Sequence, residues 1–259
     1  MQEKSDIRIR PIGYVNCEAK TVSSVPSEGI PSILTIDDEY KDAIFGLEVG
    51  MFVYVIVYLH EADGDTLRAS QNTSFERGAF AIRGSCRPNK IGMTLTKIVE
   101  IDSPNISVEW LDFCDGTPII DIKRYNWRWE CIFANQHDTR SHIEIQLERE
   151  TLSKVLARPA YNFHGERCNW VSRTGELAAE LVQKYDFYHA AKDLKVHIFG
   201  NGHLIDAIQG ITGASFGNGR LTVEHDSSSK LCTIIFSLGD RKFNVKVSET
   251  SYEITKLEL

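Results

Sequence analysis

The chain has 259 residues, 42% of them hydrophobic and 25% charged, which suits a soluble globular protein of one large or two ordinary domains. No apolar run approaches the ~20 residues that span a bilayer, so no membrane partner is expected. The net charge of -7 is uneven: residues 1–130 hold 14 Lys and Arg against 20 Asp and Glu, the remainder 15 against 16. Nucleic-acid binding draws most of its affinity from basic groups, so this acidity counts against such a substrate without deciding the matter, and leaves a local basic patch or a second subunit to supply the contacts.

The N-terminus, MQEKSDIRIR, lacks the apolar core of a signal peptide. Six cysteines without a CxxC pair fit a reducing compartment. A cytoplasmic location is expected on both grounds.

In chain order, residues 8–16 open with strand-like alternation, and the Ser/Pro/Gly-rich stretch 21–31 reads as a loop. A short helix is expected near Asp38 to Phe45. Met51 to Leu59 (MFVYVIVYL) is continuously apolar and rich in β-branched and aromatic residues, which predicts a buried strand. A short apolar run, Gly78 to Ile82, meets a polar, glycine-bearing loop from Arg83 to Gly92. Two strands follow, Met93–Ile101 and Ile106–Leu111, then an Asp115-Gly116 turn and the run Thr117 to Lys123. Many short strands with polar turns predict a small β-barrel. Arg77, Arg83, Arg87, Lys90, Lys123, Arg124 and Arg128 are the candidates for a local basic patch.

Residues 136–154 are polar and charged, and read equally as a linker, a terminal strand or a bridging helix. A boundary near residue 150 divides the chain into a β-rich domain, 1–150, and an α+β domain, 151–259. In the second, Ser172 to Tyr185 has the spacing of an amphipathic helix. Leu194–Phe199 is strand-like, and His203–Ile211 is helix-like with Gly210 and Gly213 near its end. Four strand-like runs close the chain: Arg220–Glu224, Leu231–Ser237, Lys242–Val247 and Tyr252–Lys256.

The first half carries an ordered set of motifs. They are Gly-x-Phe-Ala-x-Arg from Gly78, Arg-Pro-Asn-x-Ile-Gly from Arg87, and Leu-Asp-x-x-Asp-Gly-Thr-Pro-x-x-Asp-Ile-Lys-x-Tyr from Leu111. This set resembles the TsaA-like, or TrmO, family of S-adenosylmethionine-dependent tRNA methyltransferases, over roughly residues 8–135. The resemblance implies a barrel fold, an S-adenosylmethionine cofactor and a homodimer. The implied activity is N6-methylation of the threonylcarbamoylated adenosine next to the anticodon of tRNA. It nominates Arg87, Asn89, Asp121 and Lys123 as catalytic. It nominates Phe80, Ala81, Arg83, Arg87, Pro88, Asn89, Ile91, Gly92, Leu111, Asp115, Gly116, Thr117, Pro118 and Tyr125 as cofactor-binding. Gly84-Ser85-Cys86 and Lys90 stand where the family has Ser-Pro-x and Pro.

The chemistry of these residue types agrees with that role. The planar fork of Arg87 matches a carboxylate. Pro88 fixes φ, and Asn89 tolerates unusual backbone angles. Gly92 is expected to let a ligand approach the backbone. Phe80 or Tyr125 offers a ring for adenine or a sulfonium. Asp121 and Lys123 share one strand face.

The second half resembles the E-type domains of formylmethanofuran dehydrogenase. Their frame is kept in Phe163-His164-Gly165-Glu166-Arg167-Cys168-Asn169-Trp170, in His203-Leu204-Ile205-Asp206-Ala207-Ile208-Gln209, in Thr212-Gly213 and in Gly217 to Leu221. Glu166, Asn169 and His203 replace that family's His, Pro and Cys. The resemblance nominates His164, Cys168 and His203 as metal ligands, with Glu166 as a fourth; thiolate and imidazole together suit zinc. Two further functions stay open beside tRNA methylation. One is methylation of a small molecule presented by the second domain. The other is a non-enzymatic module that binds S-adenosylmethionine or a metal.

Overall fold

The computed structural model describes residues 7–69, 76–131 and 147–257. The chain divides into two compact units, Met1–Cys131 and Ile132–Leu259.

The first unit is a closed antiparallel barrel. Its strands are β1 (Gly13–Asn16), β2 (Ile30–Ile36), β3 (Phe52–Tyr58), β6 (Ile91–Asp102), β7 (Asn105–Leu111) and β8 (Pro118–Arg124). The order around the barrel is β1-β2-β7-β6-β3-β8, and β8 pairs back onto β1. A two-stranded ribbon, β4 (Arg68–Ala69) with β5 (Arg77–Gly78), forms a separate small sheet.

The apolar run at 51–59 does form a strand, but not one buried on both sides. Val53, Val55 and Val57 are fully enclosed, while Phe52, Tyr54, Ile56 and Tyr58 are partly or largely exposed. A closed barrel has one inner and one outer surface, so every strand must alternate between them. The inner residues pack with Val15, Leu34, Ile36, Ile98, Ile106, Val108 and Ile119 into one core. Strand β2, which begins inside the stretch read as a loop, shows the same alternation through Ser32, Leu34 and Ile36. The short helix is a 3-10 helix, Asp38–Ile44.

A bulge in β8 sets the outer face. Ile119 opposes Val57 and Asp121 opposes Ile56, which leaves Ile120 as the extra residue. The barrel strands are followed by one helical turn, α1 (Trp127–Glu130), capped by Asn126, whose side chain accepts from the Arg128 amide at 3.2 Å.

The second unit is α+β, as its sequence predicts. Its sheet, in the order β10-β9-β11-β12-β13, comprises β9 (Lys195–Gly200), β10 (Leu221–His225), β11 (Cys232–Leu238), β12 (Arg241–Val247) and β13 (Tyr252–Leu257). Only β9 and β10 are parallel. A parallel pair needs a crossover, and α4 (Gly202–Thr212) supplies it. Two further helices are α2 (Arg149–His164) and α3 (Asn169–Tyr185). Apolar faces of α3 and α4 pack on Val196, Ile198, Ile234, Phe236, Phe243 and Val245, with Trp170 and Phe187 buried in the same core.

Helix α2 starts within the stretch that reads three ways and crosses Pro159. A proline there removes the hydrogen bond to the Val155 carbonyl, which is why local reading does not extend a helix through it. Tertiary packing compensates. A Cβ on Gly175 would sit 2.3 Å from the Ser153 carbonyl oxygen, and one on Gly210 would sit 2.6 Å from that of Pro159. Glycine at these two positions lets α3 and α4 approach the α2 backbone closely.

Candidate functional site

A cavity of about 410 Å³ opens at one end of the barrel. Four loops and the start of β6 build its wall. The loop after β3 contributes His60, Glu61 and Asp63; a 3-10 turn, Ala79–Ala81, and the loop after it contribute Phe80, Arg83 and Arg87. The loop after β7 contributes Asp112, Phe113 and Cys114; Val22 and Val25 come from the segment before β2; Gly92, Met93 and Thr94 come from β6.

The loop from Arg83 to Lys90 is held from several sides. The Arg83 guanidinium donates to the Met93 carbonyl. Arg87 donates to the Ala79 carbonyl at 3.4 Å. The Lys90 ammonium reaches the Ala62 carbonyl at 2.6 Å, and its own carbonyl accepts from the Leu59 amide at 2.8 Å. The unusual backbone angle belongs to Lys90, at φ 49°, one residue after Asn89. It ties the arginine loop to the acidic loop that follows β3. Gly92 serves packing: a Cβ there would come within 2.9 Å of side-chain atoms of Val57, Leu59 and Phe113. On the cavity wall, Thr94 Oγ1 donates to Asp112 Oδ1. Two guanidiniums thus share the cavity wall with one carboxylate from the loop after β7 and two from the loop after β3.

Of the residues nominated from sequence, Phe80, Arg83, Arg87, Ile91, Gly92 and Thr117 line the cavity. Ala81, Pro88 and Asn89 lie in its loops without lining it. Leu111 lies in the barrel core. Pro118 begins β8 opposite Tyr14. Asp115 and Gly116 form the turn that locks the end of β1. The Asp115 carboxylate accepts from the Cys17 amide at 2.9 Å and pairs with Lys20 at 2.9 Å, and the Gly116 amide donates to Val15. The Lys20 contact, then the Cys17 amide, hold the Asp115 carboxyl below its ordinary value. Asp121 and Lys123 form an ion pair at 2.6 Å on the outer wall and do not line the cavity. Tyr125 packs edge-on against Tyr54, with ring centroids 6.2 Å apart.

Sequence reading passed over His60, Glu61, Asp63, Thr94 and Asp112 as site residues. Asp112 stands inside a quoted motif. The acidic loop carries a weaker signal: it follows a strongly apolar strand, where a barrel must turn and expose polar groups.

In the second unit, three helix ends converge. His164 closes α2, where Gly165 turns the chain at φ 87°. Cys168 caps the start of α3, and His203 lies in the first turn of α4. The candidate ligand atoms of His164, Cys168 and His203 all lie within 4.8 Å of one another. His203 Nδ1 is 2.9 Å from His164 Nε2, and a Glu166 oxygen is 3.5 Å from the first nitrogen and 3.4 Å from the second. His164 Nδ1 meets Asp206 at 3.2 Å, which turns the other ring nitrogen toward His203. The donor set is the nitrogen, sulfur and carboxylate mixture that tetrahedral zinc takes.

Comparison with known proteins follows this division. A model described as the tRNA-methyltransferase O N-terminal domain matches residues 17–131. Another, described as FmdE, molybdenum formylmethanofuran dehydrogenase operon, matches residues 163–258. An S-adenosyl-L-methionine-binding protein of Archaeoglobus fulgidus is 35% identical over 48% of this chain and 93% of its own length. A probable S-adenosyl-L-methionine-binding protein of Methanothermobacter thermautotrophicus is 38% identical over 46% of this chain and 90% of its own. A second A. fulgidus protein with that probable designation is 29% identical over 83% of this chain and 60% of its own length. A crystal structure of TrmO from Pseudomonas aeruginosa is similar at TM-score 0.45 and 18% identity, over 94% of this chain and 93% of that one. No helix among the described residues is long and apolar enough to cross a membrane. By its barrel half the chain belongs to the tRNA-methyltransferase O N-terminal-domain family, and its residues 163–258 are similar to the FmdE model.

Proposed function

We propose that this protein is an S-adenosylmethionine-dependent methyltransferase, with tRNA as the acceptor and N6 of the threonylcarbamoylated adenosine beside the anticodon as the methylated atom. The observation that carries this reading is the barrel-end cavity, whose wall combines Arg83 and Arg87 with Glu61, Asp63 and Asp112. A methionyl group is zwitterionic and its sulfonium cationic, so a wall with both guanidinium and carboxylate groups matches it. The designations of the curated relatives as S-adenosyl-L-methionine-binding support the same donor.

In the reaction the acceptor nitrogen attacks the methyl carbon and the carbon–sulfur bond breaks. The bonding pair stays on sulfur, leaving a neutral thioether, and the nitrogen loses its proton. The chain's part is to hold donor and acceptor in line and away from water. Arg87 binds the carboxylate of the donor, and Asp112 is the carboxylate assigned to take the departing proton. The test is calorimetric titration with S-adenosylmethionine, followed by incubation with labelled donor and cell extract. Saturable binding with label in tRNA is the expected result. Label confined to small solutes would transfer the reading to a small-molecule acceptor, and no binding at millimolar donor would end it.

A second reading concerns the convergent helix ends. The 4.8 Å grouping of His164, Cys168 and His203, with Glu166 beside them, supports a zinc held by those residues. Zinc bound there would supply a Lewis-acid centre or a structural tie; the chain's own contribution is the orientation of His164 by Asp206.

A further inference from the structure

The connection between β3 and β6 brings charges of both signs to the cavity wall. Its outgoing segment carries Glu61 and Asp63, and its returning segment carries Arg83 and Arg87. Among the described residues neither carboxylate pairs with either guanidinium: Glu61 meets His60 at 3.7 Å, Asp63 forms no ion pair, and both arginines donate to main-chain carbonyls. Two segments of opposite charge lining one cavity attract each other, so their separation needs a cause.

Lys90 engages both segments with all of its polar groups. Its amide donates to the Arg87 carbonyl at 3.0 Å, within the returning segment. Its carbonyl accepts from the Leu59 amide at 2.8 Å, which carries the β3–β6 pairing one step beyond Tyr58 and Ile91. Its ammonium reaches the Ala62 carbonyl at 2.6 Å, on the residue between Glu61 and Asp63. A second rung lies further out. There the Cys86 thiol donates to the Asp63 carbonyl at 2.9 Å, and the Cys86 carbonyl accepts from the Thr66 hydroxyl at 3.1 Å. Among the described residues the Lys90 ammonium forms no ion pair, so it neutralises neither carboxylate and fixes the main chain that carries them. The φ of 49° at Lys90 is disfavoured for a residue with a Cβ. Such an angle persists where surrounding contacts over-determine it, and it marks a functional constraint.

We propose that Lys90 is a positioning residue of the methyl-donor site, which holds Glu61 and Asp63 apart from Arg83 and Arg87 so that the cavity admits a ligand carrying both charges. This rests on the reading of the cavity as an S-adenosylmethionine site. The methionyl part of that donor offers a carboxylate to the arginines, and ammonium and sulfonium cations to the acidic segment. A wall held in this way binds without first breaking ion pairs of its own. Lys90 lies outside the cavity lining and acts through the main chain of its neighbours. Without the ammonium, the acidic segment relaxes toward the arginines and the charges meant for the ligand pair with each other.

The test compares two probes on the full-length protein. S-adenosylmethionine carries both charges, and 5′-methylthioadenosine, its neutral nucleoside fragment, carries neither. Lys90→Met keeps an unbranched side chain and removes the ammonium. It should weaken S-adenosylmethionine binding at least tenfold, about 1.4 kcal/mol, and leave methylthioadenosine within about twofold. Lys90→Arg, which restores a cationic donor, should recover most of the affinity. Lys90→Gly relieves the backbone angle without restoring the tie, and should behave as the methionine variant does. Hydrogen exchange without ligand reads the tie itself: in Lys90→Met the amides of residues 59–63 should exchange faster, and those of Val53, Val55 and Val57 should not. A methionine variant that binds S-adenosylmethionine as the parent does overturns the proposal and leaves the donor reading standing. Equal weakening of both probes, or faster exchange spread along β3, shows a general loosening of the barrel end and overturns it as well. Unchanged exchange at residues 59–63 removes the tie on which it depends. A parent that binds no S-adenosylmethionine ends the donor reading and the proposal together.

Discussion

Arg87 is half-buried, reaches one backbone carbonyl and lines the cavity, so its loss removes a charge without emptying the core. Arg87→Ala is expected to weaken S-adenosylmethionine binding by roughly 10- to 150-fold, from about 1.5–3 kcal/mol for a charge-assisted contact. Calorimetry reads this directly, and a change within twofold would remove Arg87 from the site. Asp121 and Lys123 give the opposite expectation. Their pair is largely exposed, and such pairs are worth little. If Asp121→Asn leaves donor affinity and methyl transfer within twofold, the outer-wall placement accounts for it; a loss of tenfold or more would bring these residues back into the chemistry. In the second unit, the parent should carry close to one zinc per chain. His164→Ala combined with His203→Ala should abolish it, and Asp206→Asn should lower affinity about 10–100-fold through the freed imidazole. Elemental analysis and competition with a chelator measure both; protein never exposed to chelator that holds no transition metal would refute the ligand set.

Three elements meet at one polar cluster. Arg149 at the start of α2 reaches Glu180 on α3 at 2.5 Å and the Tyr252 hydroxyl of β13 at 2.9 Å, and that hydroxyl donates to Glu180 at 2.8 Å. Burial works to raise the Glu180 carboxyl, but hydrogen bonds from Tyr252, Arg149 and Lys184 outweigh it and hold the group below its ordinary value. Burial, then the bond to Glu180, pushes the Tyr252 hydroxyl up to about 12. The two signs define a window. A lowered carboxyl stabilises the fold above its unfolded value and loses that contribution as acid protonates it. A raised phenol stabilises the fold below its unfolded value near 10, and loses that contribution as pH climbs through about 12. The cluster should therefore contribute most between about pH 5 and 10. Thermal melts of Glu180→Gln across pH should show a flattened acid limb, and Tyr252→Phe a flattened alkaline limb. Acid and alkaline limbs equal to the parent's in both variants would show that the cluster does not couple to folding. Helix α2 has a different dependence: its close approach through Gly175 and Gly210 makes it intolerant of side chains there. Strand β3 is tolerant outward at Tyr54 and Ile56 and intolerant inward at Val55.

The molecule has two hydrophobic cores, one inside the barrel and one between helices and sheet, and each contains residues of its own unit only. Each core belongs to a unit of ordinary domain size. A fragment of residues 1–150 is expected to fold alone, with S-adenosylmethionine affinity within a fewfold of the intact chain. Calorimetric unfolding of the whole chain should show two transitions, of which added donor raises one and added zinc the other. A fragment that is folded by circular dichroism yet blind to the donor would place part of the cofactor site in the second half.

What the sequence determined by itself is whatever depends on local spacing. The alternation and turns of the first half specify a strand-rich barrel, and the 3.6-residue periodicity at 172–185 and 203–211 specifies α3 and α4. Ordered motifs, each weak alone, marked the arginine loop and the three metal candidates. Tertiary structure decided whatever depends on closure and on contacts distant in the chain. Closure turned an apolar run into an alternating wall at β3, and glycine-mediated packing carried α2 through Pro159. Lys90, not its neighbour, took the strained angle, because its ammonium and carbonyl tie two loops together. Asp121 and Lys123 went to the outer wall because a bulge sets their register, while Asp112 and Glu61 came to the cavity from loops 51 residues apart. Side-chain periodicity is a property of a few neighbouring bonds and can be read along the chain. The meeting of loops at a barrel end is set by how six strands close, which no single segment encodes.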